Sequence, residues 1–157
     1  MSRLALLSAI AMTLLVPAAA TTAPLHADIS GSYRMPGGAI ITISACDDGV
    51  VCGRLVRLGD LAPTDKNNPV AEMQNRALCG VTVLDRLSAE QDYWRAVLYD
   101  AHNGTEYNIA VTLGKNGAID ISGHTTRPFL SRTYARPLEV WARVPAPASP
   151  CVPALTS

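Results

Sequence analysis

The sequence predicts an all-β protein, a small antiparallel up-and-down barrel of about eight strands. Three features of the chain support this class. Short segments that alternate apolar and polar residues recur along it, turn-forming residues separate most of them, and no stretch has the length and periodicity of a stable helix. Consecutive hairpins favour a meander that closes into a barrel, and a β-sandwich is the alternative for the same strand pattern.

The N-terminal residues are typical of a secretory signal peptide. Arg3 supplies a positive charge, residues 4–16 form an apolar stretch too short to span a bilayer, and residues 18–20 are alanines suited to cleavage. We expect residues 1–27 to contain the signal peptide and a leader remnant, cleaved between residues 20 and 27, and the mature protein to reach the periplasm. Residues 28–144 then form one domain, followed by a Pro- and Ala-rich tail, residues 145–157.

The charge balance excludes several classes of partner. The chain has 13 basic and 13 acidic residues, and loss of Arg3 with the leader leaves 12 against 13. Nucleic acids and anionic membrane surfaces attract a strongly basic face, which this composition does not provide. We expect no nucleic-acid partner and a monomeric state, and no second hydrophobic stretch is long enough for a membrane span.

Four cysteines in an exported chain predict two disulfide bonds, for which three connectivities are possible. Cys46 and Cys52 flank the turn-forming residues 47–49 and can face each other at the base of a hairpin. We therefore predict the bridges Cys46–Cys52 and Cys79–Cys151, the second of which would tie the tail to the domain. A zinc site is the alternative, but the chain has no CxxC motif and no histidine at ligand spacing, so no metal is expected.

Eight strands are predicted in sequence order. Gly53 interrupts the third and marks a bulge or a close approach of another segment. The predicted strands span residues 29–35, 39–45, 50–58, 79–87, two segments within 92–113, 118–123 and 138–144.

Residues 92–113 are typical of a hairpin at the centre of the domain. The dipeptide Asn103-Gly104 favours a two-residue type I′ turn, in which both central residues have positive φ. Residues 107–113 alternate apolar and polar side chains, which predicts one buried face. Trp94, one of two tryptophans, is expected to anchor the core or one end of it.

The connection over residues 59–78 is long and lacks strand periodicity. Such connections in compact domains are usually functional, disordered or packed as their own loop. Asp65 and Asn68 are turn formers whose side chains bond nearby backbone groups. Residues 65–67 resemble the start of a calcium loop, but the glycine and distal glutamate of that motif are absent, so we favour a turn. Residues 71–78 are expected to include a turn of helix.

Short motifs follow one another in a characteristic order: CGRLV at 52–56, DKNNP at 65–69, CG at 79–80, VL at 83–84, Trp94, YD at 99–100, NG at 103–104, Tyr107 and WAR at 141–143. Together they resemble an uncharacterised exported bacterial family, domain of unknown function 2147, over residues 29–144. The resemblance implies a small lipocalin-like β-barrel and carries over no activity or catalytic residue. Ala96 departs from the pattern, in which we expect glycine.

The leading functional hypothesis is a binding module that holds a small apolar or amphipathic ligand inside the barrel. An eight-stranded barrel has room for one small ligand, and few large aromatic side chains are present to fill it. The alternative is an envelope interaction or structural protein that uses residues 65–69 and the basic residues Arg127, Arg132 and Arg136 as its surface.

An enzyme such as a hydrolase is the third hypothesis, and we lean against it. His102 and His124 are the candidate general bases, with Asp65 and Asp100 as carboxylate partners. The chain has no nucleophile elbow, HExxH motif or paired-carboxylate spacing. An active site would require one of these histidines within hydrogen-bond reach of a carboxylate in a cleft, and we expect no catalytic residue and no cofactor.

The position of the candidate ligand site depends on where two loops lie. If the connection 59–78 covers the same end of the barrel as the turn at 103–104, polar residues of both loops would meet at one rim. The candidate ligand-binding residues are Asp65, Asn68, Trp94, Tyr99, Asp100, His102 and Tyr107.

Overall fold

A computed structural model describes residues 28–46, 49–123 and 139–151. In this part of the chain, antiparallel strands form one closed barrel, in which each strand pairs with the next and β1 pairs with β8. This architecture confirms the predicted up-and-down barrel of eight strands and excludes the sandwich. The strands are β1 Gly31–Arg34, β2 Ile40–Ala45, β3 Val51–Arg57, β4 Thr82–Ala89, β5 Trp94–Asp100, β6 Thr105–Leu113, β7 Ile119–Gly123 and β8 Glu139–Val144.

Each predicted strand has a counterpart in the barrel, and the largest shift is at the start of β4. It was expected at residue 79 and begins at Thr82. Gly80 has a φ of 82°, a left-handed conformation that does not continue an extended strand. The strand then runs to Ala89, so the polar turn that follows it begins later than the sequence indicates.

The connection between β5 and β6 has four residues, so the predicted two-residue type I′ turn is wrong. Asp100 pairs with Thr105, and residues 101–104 link them. Gly104 has a φ of 70°, whereas Asn103 does not have a positive φ. The Asp100 carbonyl oxygen accepts hydrogen bonds from the amides of both of these residues, and its carboxylate accepts one from the amide of His102. This local bonding stabilises the longer turn.

Two large aromatic side chains are buried in the barrel interior. Trp141 on β8 and Tyr33 on β1 are fully buried, and the Tyr33 hydroxyl donates a hydrogen bond of 2.9 Å to the carbonyl oxygen of Ile29. The Arg143 guanidinium lies 5.9 Å from the centre of the Tyr33 ring. Trp94 packs against this core but is only partly buried, so Trp141 is the tryptophan that anchors it.

Gly53 permits a close approach between β3 and β4, as predicted. A Cβ at this position would lie 2.9 Å from the Cβ of Leu84, which is closer than side chains normally pack. The register between the two strands shifts on both sides of this residue, as expected for a bulged pair.

The described connections alternate between the two ends of the barrel. Residues 35–39, 58–81 and 101–104 lie at one end, here called the cavity end, and residues 46, 49–50, 90–93 and 114–118 lie at the other. The predicted signal peptide, the last six residues of the tail and the segment 124–138, with His124, Arg127, Arg132 and Arg136, are outside the described residues.

The long connection at the cavity end is an ordered loop closed at its base. Thr64 and Ala77 form an isolated β-bridge, and the amide of Leu78 donates a hydrogen bond of 3.0 Å to the carbonyl oxygen of Pro63. The predicted turn of helix is present as a 3₁₀ turn, Ala71–Met73. A loop that satisfies its own backbone groups in this way can hold side chains in fixed positions.

The disulfide bonds join Cys46 to Cys52 and Cys79 to Cys151, as predicted, with Cα–Cα distances of 5.9 and 5.7 Å. The second bond fastens the tail to the body of the domain. The amide of Cys151 also donates a hydrogen bond of 2.8 Å to the carbonyl oxygen of Val56 on β3. Across the three described ranges, no helix is long and apolar enough to cross a membrane.

Candidate functional site

The barrel interior contains a cavity of about 500 Å³ at the cavity end. This volume is within the range of small-molecule sites, about 300–1,000 Å³. Because most of the wall is apolar, an apolar ligand would release water from both surfaces on binding. The apolar side chains of the wall include Met35, Ala39, Leu55, Leu61, Val83, Leu98, Ile109 and Ile121.

The hairpin of β5 and β6 supplies polar groups at the mouth of the cavity. Leu98 pairs with Tyr107, and both side chains line the cavity. The Asn103 side-chain amide donates hydrogen bonds to the Asp100 carboxylate at 2.8 Å and to the Tyr107 hydroxyl oxygen at 3.1 Å. The turn therefore fixes the carboxylate and the phenol relative to each other, and His102 extends beside them.

His102 and Asp60 face each other across the mouth but are not hydrogen-bonded. The His102 Nε2 and Asp60 Oδ1 atoms are 3.8 Å apart, and both side chains are 58% exposed. A histidine that acts as a general base needs a partner within about 3.2 Å to orient it, and such a base is normally shielded in a cleft. His102 and Asp60 are therefore too far apart for a hydrogen bond and too exposed to match this arrangement.

Glu139 adds a carboxylate to the cavity wall from β8. It pairs with Ile121 on β7, and both side chains line the cavity. Its Oε2 atom accepts a hydrogen bond of 2.6 Å from Nε1 of Trp141, two residues further along the strand on the same face. The buried indole therefore holds this carboxylate in position.

Asp65 is the centre of a buried hydrogen-bond network beside the cavity. Its carboxylate is fully buried and accepts hydrogen bonds from Tyr99 Oη at 2.6 Å, Asn68 Nδ2 at 2.8 Å and Arg76 Nε at 2.9 Å. The Arg76 guanidinium also forms an ion pair with it at 2.7 Å and lies 5.8 Å from the centre of the Tyr99 ring. The network connects the long connection to β5.

The pKa of Tyr99 is raised by this environment. Burial of the phenol is the largest cause, and its hydrogen bond to Asp65 raises the pKa further above the usual value of about 10. The neutral phenol is therefore favoured in the folded protein. Its contribution to stability is complete below about pH 10 and is lost as the pH rises through the folded-state pKa.

The long connection and the β5–β6 hairpin meet at the same end of the barrel. Polar residues of the two loops therefore meet at one rim, which the sequence alone could not decide. Asn67 Nδ2 donates a hydrogen bond of 2.7 Å to the carbonyl oxygen of His102. Gly104 lies directly against the Asn67 backbone, where a Cβ would be 2.8 Å from its carbonyl carbon and in collision with its carbonyl oxygen. The two loops therefore support each other at the mouth.

Replacing Gly104 with alanine is expected to separate these loops. The residue has a φ of 70°, which costs an L-residue about 1–2 kcal/mol, and the new methyl group would collide with Asn67. Chemical denaturation should show a loss larger than this conformational cost, because the collision with Asn67 adds to it. Gly49→Ala is the control, because its φ of 72° is similar but no atom lies within 4 Å of the added Cβ. Equal losses for the two variants would contradict a role for the contact between the loops.

The structure brings most of the predicted site residues together at the cavity end. Tyr99, Asp100, His102 and Tyr107 line the cavity. Asp65 and Asn68 are buried in the adjoining network, and Trp94 starts β5 at the opposite end of the barrel. Their role in binding a ligand remains a prediction.

Several residues of the cavity were not predicted from the sequence. Glu139 is the most informative of these, because its spacing of two from Trp141 in a strand would have placed both on one face. Asp60 and Leu61 have no comparable signal, since they lie in an irregular connection. Within the described ranges, no group of three His, Cys, Asp or Glu side chains could hold a metal ion.

Comparisons with known proteins agree with the fold. The model of the family described as uncharacterized protein conserved in bacteria, DUF2147, matches residues 31–141. A solved structure of protein HP1028 from Helicobacter pylori, described as belonging to the lipocalin family, is similar with a TM-score of 0.60 and 19% sequence identity. The similarity covers 76% of this chain and 84% of that one. No curated protein matches the sequence.

Proposed function

Since the chain belongs to the DUF2147 family of uncharacterized bacterial proteins and forms a lipocalin-like barrel, we propose that it is an exported protein that binds a small apolar or amphipathic ligand. The observation that carries this proposal is the cavity of about 500 Å³ inside the barrel. A barrel of this size can be packed completely by side chains, whereas this one has room for a small ligand.

The distribution of polar groups supports an amphipathic ligand. The inner wall is formed by aliphatic side chains such as Leu55, Val83 and Ile109, which favour an apolar body. The mouth is formed by polar side chains such as Asp60 and His102, which can contact a polar end in water. The ligand would therefore enter with its apolar part first.

The disulfide bonds support export. Both pairs of cysteines are close enough to be bridged, and disulfides form and persist in oxidising compartments such as the periplasm. The signal-peptide features of residues 1–27 are consistent with this location.

The alternative function is a surface that recognises another envelope component. The buried polar residues of the long connection give it little support. Asp65 and Asn68 are buried and hydrogen-bonded to side chains of this same domain. Polar groups that are already satisfied inside the fold have little to offer a partner.

Native mass spectrometry of protein purified from its own periplasm tests the proposed function. We expect a bound mass of lipid or metabolite size that is released on denaturation. Repeated purification of the protein without such a mass, together with failure to bind apolar dyes, would contradict the proposal.

A second test fills the cavity. Leu98→Trp places a larger side chain in the cavity wall, and we expect it to weaken binding of the uncharged dye N-phenyl-1-naphthylamine by about tenfold or more, because the lost space removes apolar contacts. The measurement is a fluorescence titration. Val140→Trp on β8 is the matched control, since this side chain is 56% exposed and does not line the cavity. Unchanged binding by both folded variants would place the dye elsewhere.

A further inference from the structure

Glu139 differs from the other carboxylates of the cavity wall because a buried side chain holds it in place. Asp60 and His102 are largely exposed at the mouth, and Asp100 is bonded within its own turn. Glu139 instead lies on the interior face of β8, opposite Ile121 in the pairing with β7. Its position is therefore set by a strand of the barrel wall.

The hydrogen bond from Trp141 leaves half of this carboxylate available. Trp141 is fully buried, so its Nε1–H requires a partner inside the barrel, and Glu139 Oε2 provides it. Among the described residues, no hydrogen-bond donor or cation contacts the other oxygen, Oε1. A carboxylate beside an apolar cavity is stabilised by a donor or a positive charge, which a ligand can supply.

The other acidic groups of the cavity wall also favour a ligand with a positive charge. Asp60 and Asp100 are the other acidic residues that line it, and none of its described lining residues is a lysine or an arginine. Negative charges in a concave apolar site raise the local concentration of positively charged ligands.

We propose that the ligand is a cationic amphiphile, a protonated amine on a small apolar body, and that Glu139 binds its ammonium group. This inference rests on the proposed function, because it assigns the chemical class of the ligand that occupies the cavity. In this arrangement the ammonium group donates to Oε1 of Glu139, while Trp141 continues to donate to Oε2. The apolar body lies against the aliphatic wall.

Competition between ligands of equal chain length tests the assignment. Octylamine, octanol and octanoate are titrated against the mature protein with N-phenyl-1-naphthylamine bound, at neutral pH and low salt. We expect octylamine to displace the dye at a concentration at least about tenfold lower than octanoate, with octanol between them.

Glu139→Gln removes the charge and keeps an oxygen that can accept from Trp141. This variant should lose the preference for octylamine over octanol and leave the affinity for octanol unchanged. Glu106→Gln is the matched control, because Glu106 has a side chain that is 64% exposed and does not line the cavity. It should bind all three compounds as the wild type does.

The outcomes separate the two proposals. If the dye and octanol bind but octylamine has no advantage, or if octanoate binds most tightly, the cationic ligand is wrong and the binding function stands. If Glu139→Gln weakens octanol and octylamine equally, the residue is structural and does not bind the ammonium group. If neither the dye nor any octyl compound binds, both proposals are wrong.

Discussion

Replacing Asp65 with alanine is expected to lower the free energy of unfolding by about 3 kcal/mol, because it leaves several buried partners without their acceptor. The carboxylate is fully buried and bonds Tyr99, Asn68 and Arg76. Arg76 is 37% exposed, so water can solvate part of its charge, and the cost falls below that of a wholly buried pair. Denaturation with guanidinium chloride measures the loss.

Two variants separate the contributions to this effect. Asp65→Asn keeps the size of the side chain and one acceptor oxygen, so it should be less destabilising than Asp65→Ala. Its loss of unfolding free energy should measure the contribution of the negative charge that pairs with Arg76. Asp60→Ala removes a carboxylate from the same connection that is 58% exposed, and its effect should be within about 0.5 kcal/mol of zero. An equal effect of Asp65→Ala and Asp60→Ala would show that burial of the network contributes nothing.

The Asp65 network also connects stability to the candidate site. The connection that carries Asp65 also includes Asp60 and Leu61, which line the cavity, and it contacts the β5–β6 hairpin through Asn67. A variant that releases this loop should therefore weaken dye binding even though Asp65 does not line the cavity. We therefore expect the residues that form the mouth to depend on the network for their position.

The strands could be predicted from the sequence because their signals are local. Ile119 and Ile121 alternate with polar residues, and both are buried in β7. The β5–β6 turn was predicted wrongly because Asn103-Gly104 is compatible with more than one turn length. The choice is made by the Asp100 backbone and side chain, which bond three amides of the turn.

The candidate site could be predicted only in part, because it depends on which strands close the barrel. Alternation showed that Trp94 and Trp141 belong to strands, but it did not show which one the closed sheet would bury. Trp141 is fully buried because β8 pairs with both β1 and β7. The cavity wall likewise combines residues as distant in sequence as Met35 and Glu139, and no local pattern relates them.

Removal of the Cys79–Cys151 disulfide is expected to lower the free energy of unfolding more than Asp65→Ala does. The bond joins residues separated by 72 positions, and loop-closure entropy predicts that it stabilises the fold by about 4 kcal/mol. The Cys46–Cys52 bond joins residues separated by 6 positions, for which the same relation gives about 2 kcal/mol. The long-range bond should therefore contribute roughly twice as much, because it restricts far more of the unfolded chain.

The comparison of two double variants measures this difference. The double variant Cys79→Ala, Cys151→Ala removes the long-range bond. The double variant Cys46→Ala, Cys52→Ala is the matched control. Each pair includes one buried cysteine, Cys79 in the first and Cys52 in the second. Denaturation of both oxidised variants should give the larger loss for the first. Losses of equal size would mean that the long-range bond acts only locally, by fastening Cys151 beside Val56 at the cavity end. In that case dye binding, rather than global stability, should be the property that the long-range variant loses first.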